Sequence, residues 1–360
     1  MWHENKLTNK LGVKYPIIQA GMAGGTTTPE LVAAVSNAGG LGTLGAGYMN
    51  PEQTRESIRR IKQLTDQPFA VNLFIPETPN VLEEEVGQTN EWLRPFREAL
   101  KIAETPKVNE ITTVTFEKQI EIMIEEQVPV CSFTFGLPSK AIVQQLKEKR
   151  IMLVGTATTV EEAKANEAIG MDMVVMQGSE AGGHRGTFLG SFDEAMIGTI
   201  ALIPQTVDQV DIPVIAAGGI SDGRGVLAAL VLGAQGIQMG TAFLTSVESG
   251  VHMQYKEAVL NTTEDQLVVT STFSGKPARG IRNDFISKME KYEKELPAYP
   301  IQNTLTKRIR SEAGKQNRPE WMSMWCGQNP RSCKQQSASE LIAAIIAQVE
   351  QIINGWKRKD

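Results

Sequence analysis

Cysteine is scarce in this chain. Cys131, Cys326 and Cys333 are the only three among 360 residues, and none forms a C-x-x-C pair. That excludes a disulfide scaffold or a structural zinc site and favours a reducing compartment. An excess of basic residues is missing too: 36 Lys and Arg stand against 41 Asp and Glu, a net charge of −5. A nucleic-acid or anionic-membrane surface is therefore not expected. No apolar run nears the ~18–20 residues of a membrane span. The N-terminus, Met1-Trp2-His3-Glu4-Asn5-Lys6, lacks the apolar core of a signal peptide. The expectation is a soluble cytoplasmic protein. Internal repeats and low-complexity segments are also lacking. Histidine is as rare as cysteine, with three residues: His3, His184 and His252.

What is present is an alternation of short apolar runs and helix-like runs over the first three-quarters of the chain. Strands are expected over residues 16–22, 40–47, 69–74, 128–135, 151–156, 173–177, 213–217 and 236–240. Helices are expected over 31–38, 51–64, 139–149, 160–169 and 223–232. Thr28-Pro29-Glu30 reads as a helix start, with Thr as cap and Pro at the first helical position. Strands separated by helices imply parallel pairing, in a doubly wound sheet or a closed (β/α)8 barrel. The count of eight favours the barrel. Residues 76–115 and 286–360 break the alternation. The reading is a TIM barrel from 1–75 and 116–285, with 76–115 and 286–360 as a smaller, mostly helical cap and substrate domain. Ser337-Ala338-Ser339-Glu340 forms a capping box ahead of a final amphipathic helix.

Chemistry is concentrated where strands run into glycine. The stretch at 177–186 reads Q-G-S-E-A-G-G-H-R-G and places His184 in a polar, glycine-rich loop after the sixth strand. Histidine titrates near neutrality, so it can accept a proton or hold an anion. His3 lies in the N-terminal tail and His252 reads as structural. Cys131 reads as a small buried hydrophobe. Gly218-Gly219 after the seventh strand and Gly240-Thr241 after the eighth occupy the usual phosphate-binding loops of such barrels. Gly21 and Met22 follow the first strand. Asn72 and Gln177 end the third and sixth, and each carries a donor and an acceptor suited to a pyrimidine edge. Together these residues suggest bound FMN. The sequence Gly40-Leu41-Gly42-Thr43-Leu44-Gly45 matches G-x-G-x-x-G. It is read as a strand, because a dinucleotide fingerprint needs a strand before it and a helix opening within it. No metal site is expected.

These residues resemble the nitronate monooxygenase family, formerly grouped as 2-nitropropane dioxygenases. The likeness rests on P-I-I-Q-A-G-M at 16–22, F-A-V-N-L-F around Asn72, the 177–186 loop, A-A-G-G-I at 216–220 and Q-M-G-T at 238–241. Trp325-Cys326-Gly327-Gln328 and the helix after it resemble class I members. The resemblance implies non-covalent FMN held by Asn72, Gln177, Gly182, Gly219, Gln238, Met239, Gly240 and Thr241, with Gly21 and Met22 along the ring. His184 falls at the family's active-site histidine. Tyr299 and Lys307 fall in a segment that lines the active site, while Asn303 stands where another aromatic is expected. The implied reaction oxidises alkyl nitronates with O2 and releases nitrite. Propionate 3-nitronate is the implied substrate and detoxification the implied role. The alternatives are an FMN-dependent enoyl-acyl-carrier-protein reductase using NAD(P)H, which shares several of these motifs, and a non-catalytic flavin-binding protein. A monomer or homodimer is expected.

Overall fold

The structure is a computed structural model that describes residues 1–77, 79, 82–104, 106 and 113–357. In chain order its strands are β1 (Ile17–Gln19), β2 (Gly42–Gly45), β3 (Phe69–Phe74), β4 (Val130–Thr134), β5 (Met152–Ala157), β6 (Met173–Gln177), β7 (Gly183–His184), β8 (Val214–Ala217), β9 (Gly236–Met239), β10 (Leu267–Thr270) and β11 (Ala278–Ile281). Eight of them form one sheet in the order β1-β9-β8-β6-β5-β4-β3-β2, and every pairing is parallel. The sheet closes on itself between its first and last strands. Ile18 bridges Leu41, with Gln19 N donating to Leu41 O at 3.0 Å and Leu41 N to Ile17 O at 2.9 Å. This is the expected (β/α)8 barrel.

Local chemistry sets the helix starts. Thr28 Oγ1 accepts from Leu31 N at 3.1 Å, ahead of Pro29. Ser139 caps Lys140–Glu148, and Asp222 caps Gly223–Val231. The capping box before Ala338–Lys357 is present: Ser337 N donates to Glu340 at 2.8 Å, and Glu340 N returns to Ser337 Oγ at 3.2 Å. Gly42–Gly45 is strand, so the G-x-G-x-x-G sequence is not a nucleotide-binding turn.

The barrel interior is filled by Ile18, Leu41, Ala70, Val130, Val154, Met173, Val175 and Ile215. Leu7 and Leu11, from the short helix Lys6–Leu11, join that cluster. Asn5 ties the helix down by donating to Gln235 O at 2.7 Å, just before β9. The helix therefore plugs the end where strands begin, and the end where they finish is left for other work. A second core joins Leu93 and Phe96 of helix Glu83–Ala99 to Phe285, Ile286, Leu305, Ile309 and Trp321. The last helix, Ala338–Lys357, packs Leu341, Ile342, Ile345 and Val349 into the barrel's outer layer with Leu31, Val35 and Val226. Among the described residues no helix is long and apolar enough to cross a membrane.

Several features had not been expected, among them the helices Lys6–Leu11, Thr113–Glu125 and Met253–Asn261. Helix Thr199–Val207 forms with Pro204 inside it. A separate three-stranded antiparallel sheet runs β10-β11-β7, with His184 opposite Ala278. A two-residue strand has no readable period, so β7 was hidden in its glycines.

Close packing of strand against helix is severe at Gly42, where an added Cβ would lie 2.1 Å from Val32 O. Gly42→Ala is expected to destabilise the fold by about 1–3 kcal/mol, the usual range for overpacking. An unchanged urea midpoint with an unchanged slope would contradict this.

Candidate functional site

Parallel pairing brings the carboxyl ends of all eight barrel strands to one rim. A cavity opens there. Gly21, Met22, Asn72, Gln177, Gly182, His184, Gly218, Gly219, Gln238, Met239, Gly240 and Thr241 all line it. The structure thus brings together every residue singled out in those loops. Tyr48, Phe74, Phe135, Trp325 and Asn329 also line it, and sequence reasoning had given none of them a place in the site.

The two amides behave differently. Gln177 is engaged at both ends: Nε2 donates to His184 O at 3.0 Å, and Oε1 accepts from Gly186 N at 2.8 Å. It clamps the loop that carries His184. Asn72 donates through Nδ2 to Ser132 Oγ at 3.0 Å and Thr134 Oγ1 at 3.1 Å, both on β4. Its Oδ1 is buried with no partner. An orphaned buried acceptor is costly unless a ligand donor meets it. An imide N–H, such as the pyrimidine edge of a flavin carries, is a donor of the required kind.

Glycine is needed on the opposite rim for two reasons. Gly218 and Gly219 adopt φ of 116° and 72°, the left-handed side that favours glycine. At Gly182 an added Cβ would lie 2.5 Å from Gly327 N, so only glycine lets the tail segment pass. That segment is pinned to the rim: Gly327 N donates to Thr241 Oγ1 at 2.9 Å, Gln328 N to Glu180 O at 2.9 Å and Asn329 Nδ2 to Gly219 O at 3.1 Å. The Glu180 carboxylate is already committed, accepting from Thr199 N at 2.9 Å and Thr199 Oγ1 at 2.8 Å. Its charge caps helix Thr199–Val207. The exposed backbone of Gly218, Gly219 and Gly240, with the Thr241 hydroxyl, fits an anionic phosphate. The residues present therefore fit a flavin mononucleotide.

His184 stands beside this rim within an aromatic box. Ring centroids lie 5.2 Å from Trp325, 6.0 Å from Phe135 and 6.1 Å from Tyr299. Nε2 is 2.8 Å from Ser274 Oγ. Burial pushes its pKa down to about 3, helped by the charges of Arg310 and Lys276. That shift favours the uncharged ring at neutral pH, so His184 by itself does not supply an imidazolium for an anion. Arg310 and Lys276 supply the positive field instead.

Neither of the expected substrate-side residues, Tyr299 and Lys307, is among those lining the cavity. Tyr299 is buried beside His184, and burial raises its pKa so that the phenol stays protonated. Lys307 is exposed on helix Ile301–Lys315 and does not line the cavity. The cation of that helix nearest the chemistry is Arg310, which the sequence reading had passed over. Its Nη2 donates to Asn303 O and Oδ1, both at 2.8 Å, and Nε to Thr306 Oγ1 at 3.2 Å. Asn303, where an aromatic had been expected, is thus the support of this guanidinium. Arg310 has no carboxylate partner among the described residues. Lys276 does have one, Glu77 at 2.6 Å, and lies over the Phe135 ring at 4.8 Å. Of the residues set aside, His252 caps Met253–Asn261 and Cys131 is wholly buried, its pKa raised by that burial.

A closed parallel barrel whose carboxyl rim gathers glycine-lined loops, an orphaned amide acceptor and a histidine has the form of a barrel enzyme's ligand site. Comparison with known proteins narrows the class. The family model for nitronate monooxygenase matches residues 4–348. A Staphylococcus haemolyticus (strain JCSC1435) protein named "Probable nitronate monooxygenase" is 53% identical over 355 residues, covering 98% of this chain and 99% of that protein. The protein of the same name from Staphylococcus aureus (strain N315) is 52% identical over 354 residues, with 98% and 99% covered. Among solved structures, nitroalkane oxidase from Streptomyces ansochromogenes aligns with a TM-score of 0.92 at 35% identity, covering 98% of this chain and 100% of that one. FabK from Thermotoga maritima aligns with a TM-score of 0.79 at 31% identity, with 99% of each chain covered. The chain belongs to the nitronate monooxygenase family, a family of flavin-dependent oxidoreductases.

The depressed pKa of His184 has a consequence for stability. Its folded value lies below the ordinary ~6.5 of an unfolded chain, so between the two the unfolded state binds more protons. Stability then rises with pH across that window and is lost as pH falls from about 6.5 toward 3. Replacing the group removes up to ~1.4 kcal/mol per pH unit of that slope. His184→Gln is expected to flatten urea-unfolding stability between pH 4 and 6.5 relative to the wild-type protein. Parallel slopes in the two proteins would contradict the buried, neutral ring.

Proposed function

We propose that the protein binds FMN at this rim and oxidises alkyl nitronates with O2, releasing nitrite. We further propose propionate 3-nitronate as its substrate and detoxification of nitro compounds as its role. The observation that carries this reading is the pairing of an uncharged His184 with the Arg310 guanidinium, which has no acid partner among the described residues. Such a site attracts a substrate that arrives already ionised.

In this reading Asn72 Oδ1 accepts from the flavin imide. Gly218, Gly219, Gly240 and Thr241 would hold the phosphate, and Gly182 and Gln238 would contact the cofactor. Gly21 and Met22 would lie along the ring, Met239 would contact the cofactor, and Gln177 holds the loop that carries His184. FMN, when bound, supplies the electron acceptor and the reactivity toward oxygen. The chain's own contribution is binding, orientation and proton placement. Arg310 and Lys276 draw the anion in, and Tyr299 helps form the wall behind His184. Phe135, Trp325 and Tyr299 exclude water and strengthen those fields. A bound anion raises the proton affinity of the adjacent imidazole. His184 then carries the proton taken up with a nitronate, or the one removed from a neutral nitroalkane. Burial lowers the basicity of His184, which favours a substrate that arrives already ionised. The similarity to a nitroalkane oxidase supports the neutral nitroalkane as a further substrate.

Purified protein should be yellow, and with propionate 3-nitronate it should consume O2 and release nitrite. His184→Asn should lose turnover while FMN is retained. NADH oxidation with crotonyl thioester and no nitrite would establish the reductase alternative. Unchanged behaviour of His184→Asn would point to a carrier.

The electrostatic part has its own test. Arg310→Met should raise KM for propionate 3-nitronate about tenfold or more, the equivalent of ~1.4 kcal/mol, and should spare FMN content. An unaltered KM in the folded, flavin-loaded variant would remove Arg310 from the account.

A further inference from the structure

We propose that Ser274 is a positioning residue that fixes the tautomer of His184, holding Nε2–H and leaving Nδ1 as the proton acceptor open to the cavity. The hydroxyl of Ser274 has one hydrogen and three neighbours. Its Oγ lies 2.8 Å from His184 Nε2, 3.0 Å from Lys276 O and 3.3 Å from Lys276 N. A carbonyl only accepts and a backbone amide only donates. Lys276 O has no other partner among the described residues, so the Ser274 hydrogen goes to it. The Lys276 amide uses one lone pair of Oγ. The remaining lone pair faces Nε2, which must then donate.

The same conclusion follows from the other ring nitrogen. His184 Nδ1 makes no hydrogen bond to any described residue. It is also not among the buried side-chain nitrogens that are sealed off without a partner. The ring lines the cavity, so Nδ1 is the nitrogen a ligand meets. Ser274 is itself 1% exposed, and its own N donates to Ser271 O at 3.1 Å, which keeps the hydroxyl in place. Neither Lys276 nor Arg310 competes for Nδ1 in the structure: Lys276 is paired with Glu77, and Arg310 is occupied with Asn303 and Thr306.

The catalytic consequence rests on the nitronate reading above, whereas the tautomer does not. With a nitroalkane, the α-carbon C–H bond breaks and an Nδ1–H bond forms. The electron pair moves into the nitro group, giving the nitronate and an imidazolium. That step needs no oxidant. With Nε2–H anchored on Ser274, the new charge is spread toward a hydroxyl whose hydrogen is held by Lys276 O. The opposite tautomer would present an N–H to the substrate and could not take its proton.

The chain has three histidines, so selective 15N-histidine labelling gives a simple spectrum, and the His184→Asn variant assigns His184. Flavin-loaded protein without substrate should show His184 protonated at Nε2 and bare at Nδ1. Ser274→Ala should give averaged tautomer signals and about a tenfold fall in kcat/KM for a neutral nitroalkane, with FMN affinity unchanged. Ser274→Thr, which keeps the hydroxyl, should restore both. A wild-type ring protonated at Nδ1 would overturn the proposal, as would a Ser274→Ala spectrum still showing pure Nε2–H. If no substrate is turned over by any variant, the spectra alone decide the tautomer and the nitronate reading fails separately.

Discussion

Everything at the site depends on closure of the sheet. A parallel sheet left open between β1 and β2 would splay the loops that follow them. The Ile18–Leu41 bridge and its two backbone hydrogen bonds draw those ends together, so that Gly21 lies against Asn72. An added Cβ at Gly21 would come within 2.6 Å of Asn72 Cβ. Closure therefore sets the distance between the rim's first loop and the amide that awaits a donor. The plug formed by Leu7 and Leu11 supports the same geometry from the other end. One end of the barrel is sealed with hydrocarbon, and polar ligands have the other.

The wall of the cavity is built from segments far apart in sequence. β7 brings His184 to β11, and the turn before β11 carries Ser274 and Lys276. The tail at 325–329 crosses Gly182 and ties to Thr241 and Gly219. The loops expected to hold a phosphate and the loop that carries the histidine are thus locked to each other by one strap. Loosening the strap would disturb both. That coupling is a property of packing, since Gly182 and Gly327 leave no room for a side chain between them.

How much of this was legible depended on period and punctuation. The barrel strands were readable because each is a short apolar run, and β3 and β6 fall where the sequence placed them. The rim was readable because glycines after strand ends, Gln177 at the end of β6 and a polar Asn72 inside the apolar run of β3 have few other uses. The antiparallel sheet of β7, β10 and β11 was not, because its shortest member has two residues and its pairing is long-range. Nor were the aromatic walls: Phe135 and Trp325 look like ordinary core residues until the chain is folded. Ser274 carried no local signal at all, since a serine in a turn is commonplace. Only its place between an imidazole and a carbonyl gives it a role.

The exchange of Lys307 for Arg310 has a physical reason in helix phase. At 100° per residue, a position seven residues along returns to within ~20° of its start. Arg310 therefore sits over Asn303, and the two are hydrogen-bonded. Asn303 is buried, so the face it marks is the inward one. Lys307 is rotated the other way from Asn303 and reaches solvent, as lysine usually does. Guanidinium also tolerates desolvation better than ammonium, because its charge is delocalised and its hydration weaker. A half-buried cation on this helix is for that reason more stable as arginine. Held by an amide and a hydroxyl in place of a carboxylate, it keeps its full positive field. The uncharged His184 beside it adds no competing charge. An anion entering the cavity meets attraction from the arginine, and its charge raises the proton affinity of the neighbouring imidazole.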